Sequence, residues 1–124
     1  MSPDGDAQPK PSTAPFAVAG EVEGGITTIA VRGELDLGTA PQLEASMAAA
    51  STPGLVIDLS ACEFIDSTGI ALLVNFSRDA GATGRRLVLC GLKKQVARVL
   101  EIASVDALIP TVATREEAIA ALEG

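Results

Sequence analysis

The sequence predicts an α/β fold, in which a mixed, mostly parallel sheet of four to five strands with one antiparallel strand packs with four helices. Its 124 residues suffice for one small domain, and 48% of them are hydrophobic, enough for a core. Two β-rich runs joined by a glycine-rich turn open the chain, and strand-like and helix-like stretches then alternate. Such alternation favours parallel strands covered by helices, and the opening hairpin supplies the antiparallel strand.

The first part of the chain predicts a hairpin followed by a helix. Residues 16–22 and 26–31 are the two β-rich runs, and Glu23-Gly24-Gly25 joins them, so the first strand is expected to run antiparallel. Thr39 followed by Gln42 fits a capping box at the start of a helix. Apolar residues recur at helical spacing after it, namely Ala40, Leu43, Met47 and Ala50.

The middle of the chain predicts a strand, a helix and a second strand. Pro53-Gly54 ends the first helix, and the almost continuous apolar run 55–59 is typical of a strand covered on both faces. A short loop at the sheet edge is expected next, and then a helix from Ser67 to about Gly81. Residues 86–90 repeat the buried-strand pattern.

The last part of the chain predicts a helix, a short strand and a closing helix. The third helix is indicated by apolar residues at its buried spacing, Val96, Val99, Leu100 and Ala103. Leu108-Ile109, just before Pro110, is expected to form the last strand. Thr114 and Glu117 form another capping box. The apolar stripe of the closing helix follows it, namely Ala118, Ile119 and Leu122.

Residues 1–15 differ in composition from the rest of the chain. They hold four of the seven prolines, which predicts a flexible N-terminal tail ahead of a folded domain over residues 16–124. Nothing at the N-terminus resembles a basic region followed by an apolar stretch. The longest apolar runs, such as residues 70–74, are far shorter than the roughly 18 residues that a membrane span needs. We therefore expect a cytoplasmic protein that does not contact a membrane.

The residue types that are missing exclude most enzyme chemistry. Without any His, a Ser-His or Cys-His nucleophile cannot form, and two isolated cysteines, Cys62 and Cys90, cannot build a zinc cluster. Both cysteines are more typical of small core residues than of redox sensors. The glycine patterns of dinucleotide-binding and phosphate-binding loops are missing as well. The expectation is a protein without metal or cofactor that is not an enzyme.

The charge is acidic and unevenly distributed. A net charge of −7 argues against binding nucleic acid, which depends on Lys and Arg. Residues 33–77 contain six acids and no base, whereas residues 85–98 contain five bases and no acid. The acidic segment predicts a basic or charge-complementary partner surface. The basic stretch has two interpretations, a solvated face or a surface for an acidic partner.

The segment Asp66-Ser67-Thr68-Gly69 places two hydroxyl groups at the start of the second helix. One interpretation is structural, because Asp66 or Ser67 would cap that helix and stabilise it by about 1 kcal/mol. The other interpretation is functional, because Ser67 would be displayed at a positive helix end that accommodates a phosphate. The residues alone leave both interpretations open.

A family resemblance favours the functional interpretation. Residues 57–73 resemble the signature of STAS domains of the anti-sigma factor antagonist type, in which Asp-Ser-Ser/Thr-Gly follows a buried strand. Residues 33–36 with Thr39 and Ala40 look like the second landmark of that family, and the resemblance covers roughly residues 16–123. Ala71 stands where the family often has glycine. The resemblance implies a small α/β sandwich whose sheet has one antiparallel strand.

The resemblance implies a partner-switching regulator, a monomer when free, whose phosphorylated serine maps to Ser67. The unphosphorylated form would bind an anti-sigma factor that is also a GHKL-type serine kinase, and so release a sigma factor. Phosphorylation would break that binding, and a PP2C-type phosphatase would restore it. Two other classes remain open, a STAS scaffold of a signalling or transport complex whose hydroxyl is unused, and a small flavodoxin-like enzyme, which would need a cofactor.

Five residues besides Ser67 are candidates for a role at the switch. Asp66 would orient the Ser67 hydroxyl or contact the kinase, against a plain helix cap. Thr68 would be a second phosphoacceptor, against helix packing, and Gly69 completes the motif. Asp36 would lie at the binding edge, against capping its own loop. Asp58, expected at a strand end, would support the site or make structural hydrogen bonds.

Overall fold

The computed structural model describes residues 15–123, so the tail expected over residues 1–15 lies outside the described residues except for Pro15. The strands are β1 (Ala17–Glu23), β2 (Ile26–Leu35), β3 (Gly54–Ile65), β4 (Arg86–Cys90) and β5 (Thr111–Val112). The helices are α1 (Ala40–Ala49), α2 (Ser67–Ala82), α3 (Lys94–Ile102) and α4 (Arg115–Glu123), with a short 3-10 helix at Val105–Ala107. Within residues 15–123, none of the helices has both the length and the apolar character to cross a membrane.

The five strands form one sheet in the order β1-β2-β3-β4-β5. β1 pairs antiparallel with β2, and every other neighbouring pair is parallel. The hairpin turn consists of Gly24 and Gly25, with φ of +57° and +81°, a left-handed conformation that glycine adopts without steric cost. The predicted mixed sheet with one antiparallel strand and four helices is confirmed.

The two faces of the sheet carry two separate cores. Side chains alternate between faces along β3, so Leu55 and Ile57 point to one face and Val56 to the other. The larger core lies under α1, α2 and α3, whose fully buried contributions include Leu43, Met47 and Leu73. The smaller core lies under α4, and its buried members are Ile26, Val56, Val88, Cys90 and Ala118. The site that follows belongs to the face of the larger core.

β2 and β3 extend beyond their predicted ends. The sequence places the strand ends at residues 31 and 59, whereas β2 runs to Leu35 and β3 to Ile65. The pairing of β3 with β2 has two register shifts, and at each of them β3 contains one extra residue. On β2 the shifts lie between Ala30 and Arg32 and between Gly33 and Glu34. Such bulges break the alternation of apolar and polar residues on which strand prediction depends. The short loop expected after residue 59 is reduced to Asp66, because residues 60–65 belong to β3. Asp58 therefore lies inside β3 and not at its end.

The last strand also differs from the prediction. Leu108-Ile109 does not form a strand, because the chain makes a 3-10 turn at residues 105–107 and then buries Ile109 in the core while Leu108 is 62% exposed. The strand lies after Pro110, at Thr111–Val112, and it begins where the Pro110 carbonyl accepts a hydrogen bond from the Leu89 N–H at 2.9 Å. Proline lacks an N–H but still offers this acceptor.

Of the two predicted capping boxes, the one at Thr114 forms in part, because Glu117 Oε1 accepts the Ala113 N–H at 3.0 Å in place of the Thr114 N–H. The Thr114 hydroxyl oxygen accepts the Glu117 N–H at 3.1 Å, as predicted for the start of α4. At the start of α1 the Thr39 side chain makes no cap hydrogen bond. Its hydroxyl donates to the Glu34 carbonyl at 2.7 Å and accepts the Asp36 N–H at 2.9 Å, so the preceding loop occupies it. The capping box predicted at Thr39 is therefore wrong.

Candidate functional site

The carboxyl ends of β2 and β3 bring Asp36 and Asp66 to the same edge of the sheet. Leu35 and Ile65, the last residues of the two strands, are register partners, and each aspartate directly follows its strand. The Asp66 N–H donates to the Leu35 carbonyl at 3.1 Å, which continues the pairing one step past the strands. The sheet therefore joins two motifs that are 30 positions apart in the sequence.

Asp66 caps α2 and ties it to the neighbouring loop. Its Oδ1 accepts the Gly69 N–H at 3.0 Å, which satisfies one of the unpaired donors of the first helical turn. Its Oδ2 accepts the Leu37 N–H at 3.1 Å, from the loop after β2. Both carboxylate oxygens thus accept backbone N–H groups, as the structural interpretation of Asp66 expects. Because Asp66 caps the helix, the Ser67 hydroxyl is not needed for that role.

Ser67 is the first residue of α2, and it is exposed. The N-terminus of a helix carries a partial positive charge and N–H groups without intrahelical partners, an environment that favours an anion. α2 has 16 residues, no acidic residue in its first turn, and a buried stripe that holds it to the sheet. The arrangement presents one hydroxyl group at a fixed point of the surface.

Asp36 organises the loop that leads into α1 and contacts Asp66. Its Oδ1 accepts the Gly38 N–H at 3.0 Å and the Thr39 N–H at 3.2 Å, so the side chain closes its own turn, as the capping interpretation expects. This turn holds Leu37 with 73% of its surface exposed. Asp36, expected at the binding edge, therefore holds its own loop in place. That loop leaves the apolar side chain of Leu37 at the surface. The sequence analysis did not single out Leu37.

Gly69 lets the first turn of α2 approach the ends of β2 and β3. A Cβ at this position would lie 2.8 Å from Leu35 Cγ and 2.9 Å from Ile65 Cγ1, closer than carbon atoms pack. The motif glycine is thus required by packing. Ala71, the departure from the family pattern, is exposed, and the core does not depend on it.

Thr68 is half-buried and lines a groove of about 400 Å³ between α1 and α2. The same groove is lined by Leu37, Glu44 and Phe76. Packing is therefore the interpretation that its surroundings favour. The groove joins two helices that are far apart in the sequence, so no local pattern could have predicted it.

Asp58 lies on the other face of the sheet, under α4. Its Oδ2 accepts Arg115 Nε at 2.6 Å, and its Oδ1 accepts the Ser60 N–H at 2.9 Å. Burial alone would raise the pKa of this carboxyl, but the hydrogen bonds from Arg115 and Ser60 outweigh it and hold the pKa below its ordinary value. Of the two interpretations of Asp58, these contacts match structural hydrogen bonding, since the pair holds α4 on the sheet.

The acidic segment 33–77 and the basic stretch 85–98 do not form two separate charged faces in the structure. Two of the six acids have basic partners, because Asp58 pairs with Arg115 and Glu63 lies 3.7 Å from Lys93 Nζ. In the basic stretch, Arg85 donates to the Thr52 carbonyl and Arg86 to the Ala121 carbonyl on α4. The four remaining acids of this segment are Glu34, Asp36, Glu44 and Asp66, of which Asp66 directly precedes Ser67 and Glu44 lines the same groove as Thr68.

The two cysteines are buried and unpaired, as expected of small core residues. Burial raises the pKa of the Cys62 thiol, and it raises the pKa of the Cys90 thiol to about 11. Both thiols therefore stay protonated near neutral pH. Among residues 15–123, His, Cys, Asp and Glu side chains form no cluster of three that would hold a metal ion.

Residues 17–118 match the STAS domain family, and the chain belongs to that family. The Bordetella bronchiseptica protein named anti-sigma factor antagonist BtrV is 31% identical over 102 residues, which cover 80% of this chain and 88% of that protein. The crystal structure of an anti-sigma factor antagonist from Mycobacterium paratuberculosis is similar with a TM-score of 0.83 and 28% identity, covering 91% of this chain and 98% of that one. The structure of phosphorylated SpoIIAA from Bacillus shares the fold, with a TM-score of 0.64 and 24% identity. The match covers 85% of this chain and 96% of the SpoIIAA chain.

The family resemblance and the fold read from the sequence are therefore confirmed. The relatives of this chain are anti-sigma factor antagonists, which are regulatory proteins without enzymatic activity.

Proposed function

We propose that this protein is an anti-sigma factor antagonist that is switched by phosphorylation of Ser67. The unphosphorylated form binds an anti-sigma factor that is also a GHKL-type serine kinase, and this binding releases a sigma factor. Phosphorylation of Ser67 ends the binding, and a PP2C-type phosphatase restores it. The protein works in the cytoplasm, as a monomer between binding events. The observation that carries the proposal is the exposed Ser67 at the start of α2, with Asp66 already serving as the cap.

A phosphate on Ser67 is compatible with the folded domain. It adds about −1.5 to −2 charges at pH 7, and at a helix N-terminus an anion stabilises the structure by about 0.3–1 kcal/mol. The Ser67 side chain is exposed, so no buried contact has to be broken. The switch therefore acts on the interface and leaves the fold intact.

Repulsion at the interface is large enough to end binding. A like charge about 5 Å from the phosphate costs about 3 kcal/mol per unit pair at an effective dielectric constant of about 20. Loss of one serine hydrogen bond costs only about 1 kcal/mol. An energy of about 3 kcal/mol corresponds to roughly a hundredfold in affinity. A partner group close to Ser67, either a carboxylate or a tightly packed apolar side chain, is expected to dominate the effect.

The site assignment is tested by phosphorylation of purified protein. Each purified GHKL-type serine kinase of the source organism is incubated with ATP and the wild-type protein, Ser67→Ala or Thr68→Val. One phosphate is expected on the wild type and on Thr68→Val, with Ser67 as its position by fragment mass spectrometry. Ser67→Ala is expected to remain unmodified. A phosphate at another residue, or full modification of Ser67→Ala, contradicts the proposal.

A further inference from the structure

The groove between α1 and α2 is a second surface next to Ser67. α1 follows β2 and α2 follows β3, so both helices start at the same edge of the sheet and run side by side. The groove has a volume of about 400 Å³, and Leu37 and Thr68 line its end near Ser67. Along α2 the lining reaches Asp79, which is 12 residues or about 18 Å beyond Ser67.

The end of the groove near Ser67 is apolar. Leu37 is 73% exposed, although the turn closed by Asp36 and the hydrogen bond from its N–H to Asp66 fix its backbone. Ala40 and Pro41 lie beside it in the lining. A rigid loop that exposes a leucine over an apolar groove is typical of a binding surface, because burial of that side chain on binding is favourable and costs little backbone ordering.

Two acidic side chains line the groove. Glu44 lies four residues, or about 6 Å, along α1 from Ala40, and Asp79 lies at the far end of the lining on α2. Both are exposed, and the lining contains no basic side chain. Two cations adjoin it, but both have other contacts. Arg78 donates to Asn75 Oδ1 at 2.7 Å, and Arg85 stacks on Phe76 at 5.6 Å while it donates to backbone carbonyls. A groove with an apolar end and two carboxylates along its length is complementary to a segment that carries apolar side chains and a basic one.

We infer that this groove docks one amphipathic helix of the anti-sigma factor kinase, with apolar side chains at the Leu37 end and a Lys or Arg between Glu44 and Asp79. This inference rests on the function proposed above and assigns that partner's contact surface. A helix of about twelve residues spans the 18 Å of the groove, with anchors at i, i+3 or i+4 and i+7. The groove then holds the kinase while Ser67, one residue from the lining residue Thr68, enters its active site.

The docked helix also explains why a phosphate on Ser67 ends the contact. The phosphate would lie beside the apolar end of the helix, where it has to lose its water without gaining a cation. Docking and phosphorylation are thus coupled through one end of the same groove.

Two neighbouring alanines offer a matched test. Ala48 and Ala49 lie at the end of α1 and are both exposed, but only Ala48 lines the groove. Ala48→Arg places a long cation where the basic end of the helix is expected, whereas Ala49→Arg makes the same chemical change outside the groove. The probe is the purified kinase that phosphorylates the wild-type protein, and urea unfolding verifies that both variants stay folded.

Ala48→Arg is expected to weaken kinase binding and to raise the KM for phosphorylation by about tenfold or more, while kcat stays within about twofold because Ser67 is untouched. Ala49→Arg is expected to stay within about twofold of the wild type in both constants. A photo-crosslinking residue at position 48 is expected to label a helical segment of the kinase that carries Lys or Arg.

Equal affinity and KM for the two arginine variants overturn the groove inference and leave the proposed function standing. A crosslink to an acidic segment of the kinase, or to its nucleotide pocket, overturns it as well. If no kinase binds or phosphorylates the wild-type protein, the proposed function itself fails, and the groove inference fails with it. The two failures are therefore distinguishable.

Discussion

Replacing Gly69 with alanine adds one methyl group at the point where α2 touches the ends of β2 and β3. The new Cβ would lie 2.8 Å from Leu35 Cγ and 2.9 Å from Ile65 Cγ1, against an ordinary carbon separation of about 3.5–4.0 Å. Both neighbours are interior atoms of side chains that are 0% and 2% exposed, so they cannot swing away. Overpacking of this kind costs about 1–3 kcal/mol.

Part of that cost is offset, because alanine is better than glycine within a helix by up to about 1 kcal/mol. We expect Gly69→Ala to lower the free energy of unfolding by about 1–2 kcal/mol. Gly81 is the matched control, since it lies in the same helix and a Cβ there meets nothing within 4 Å. Gly81→Ala is expected to raise the free energy of unfolding by about 0.5–1 kcal/mol.

Urea unfolding followed by circular dichroism measures both variants. The midpoints are expected to move in opposite directions with an unchanged slope, which assigns the effect to native packing. For a domain of this size the destabilisation corresponds to a decrease in Tm of roughly 5–10 °C for Gly69→Ala. If Gly69→Ala is as stable as Gly81→Ala, the close approach of α2 to the strand ends is wrong, and with it the account of how Ser67 is positioned.

Three further predictions concern the cap, the ion pair and the charge. Asp66→Ala removes the cap of α2 and the acceptor of the Leu37 N–H, so urea unfolding is expected to show a loss of about 1–2 kcal/mol; an unchanged midpoint would contradict that role. Arg115→Met leaves the buried Asp58 carboxylate without its partner, at a cost of about 1–3 kcal/mol after allowance for the partly exposed arginine, whereas Arg98→Met at an exposed position costs almost nothing. Because the hydrogen bonds lower the pKa of Asp58 in the folded state, the stability they contribute is present above about pH 4 and is lost as the pH falls further. The stability difference between wild type and Arg115→Met, measured across pH, is therefore expected to narrow below about pH 4, and a constant difference would show that the pair is not its source. The association rate constant with the kinase, measured by stopped flow, is expected to fall as the salt concentration rises from about 0.05 to 0.5 M. A rate constant independent of salt would contradict electrostatic steering of the kinase by the acids of residues 33–77.

The order of elements could be predicted because each depends on local patterns. The helix over residues 67–82 and the strand over residues 86–90 agree with the prediction within one residue. Apolar spacing and the cap at Asp66 define the helix, and a short apolar run defines the strand. The cap at Thr114 is local for the same reason. Family motifs then identified the fold and indicated Ser67 as the candidate phosphorylation site, without reference to any contact distant in the sequence.

The parts that could not be predicted depend on contacts between distant residues. β3 continues through residues 60–65 because β2 pairs with it across two bulges, and a sequence pattern with a period of two does not include extra residues. Thr39 looks like a cap, but the Glu34 carbonyl occupies its hydroxyl. The sequence left Asp58 open between site support and structural hydrogen bonding, because its partner Arg115 lies 57 positions away in the chain.

The central claim is that a phosphate on Ser67 prevents binding to the anti-sigma factor kinase without unfolding the domain. Isothermal titration calorimetry of the purified kinase with the unphosphorylated protein and with the protein carrying one phosphate on Ser67 tests it most directly. The phosphorylated form is expected to bind at least about a hundredfold more weakly, while its Tm stays within a few degrees of the unmodified form. Equal affinity of the two forms for the kinase contradicts the account.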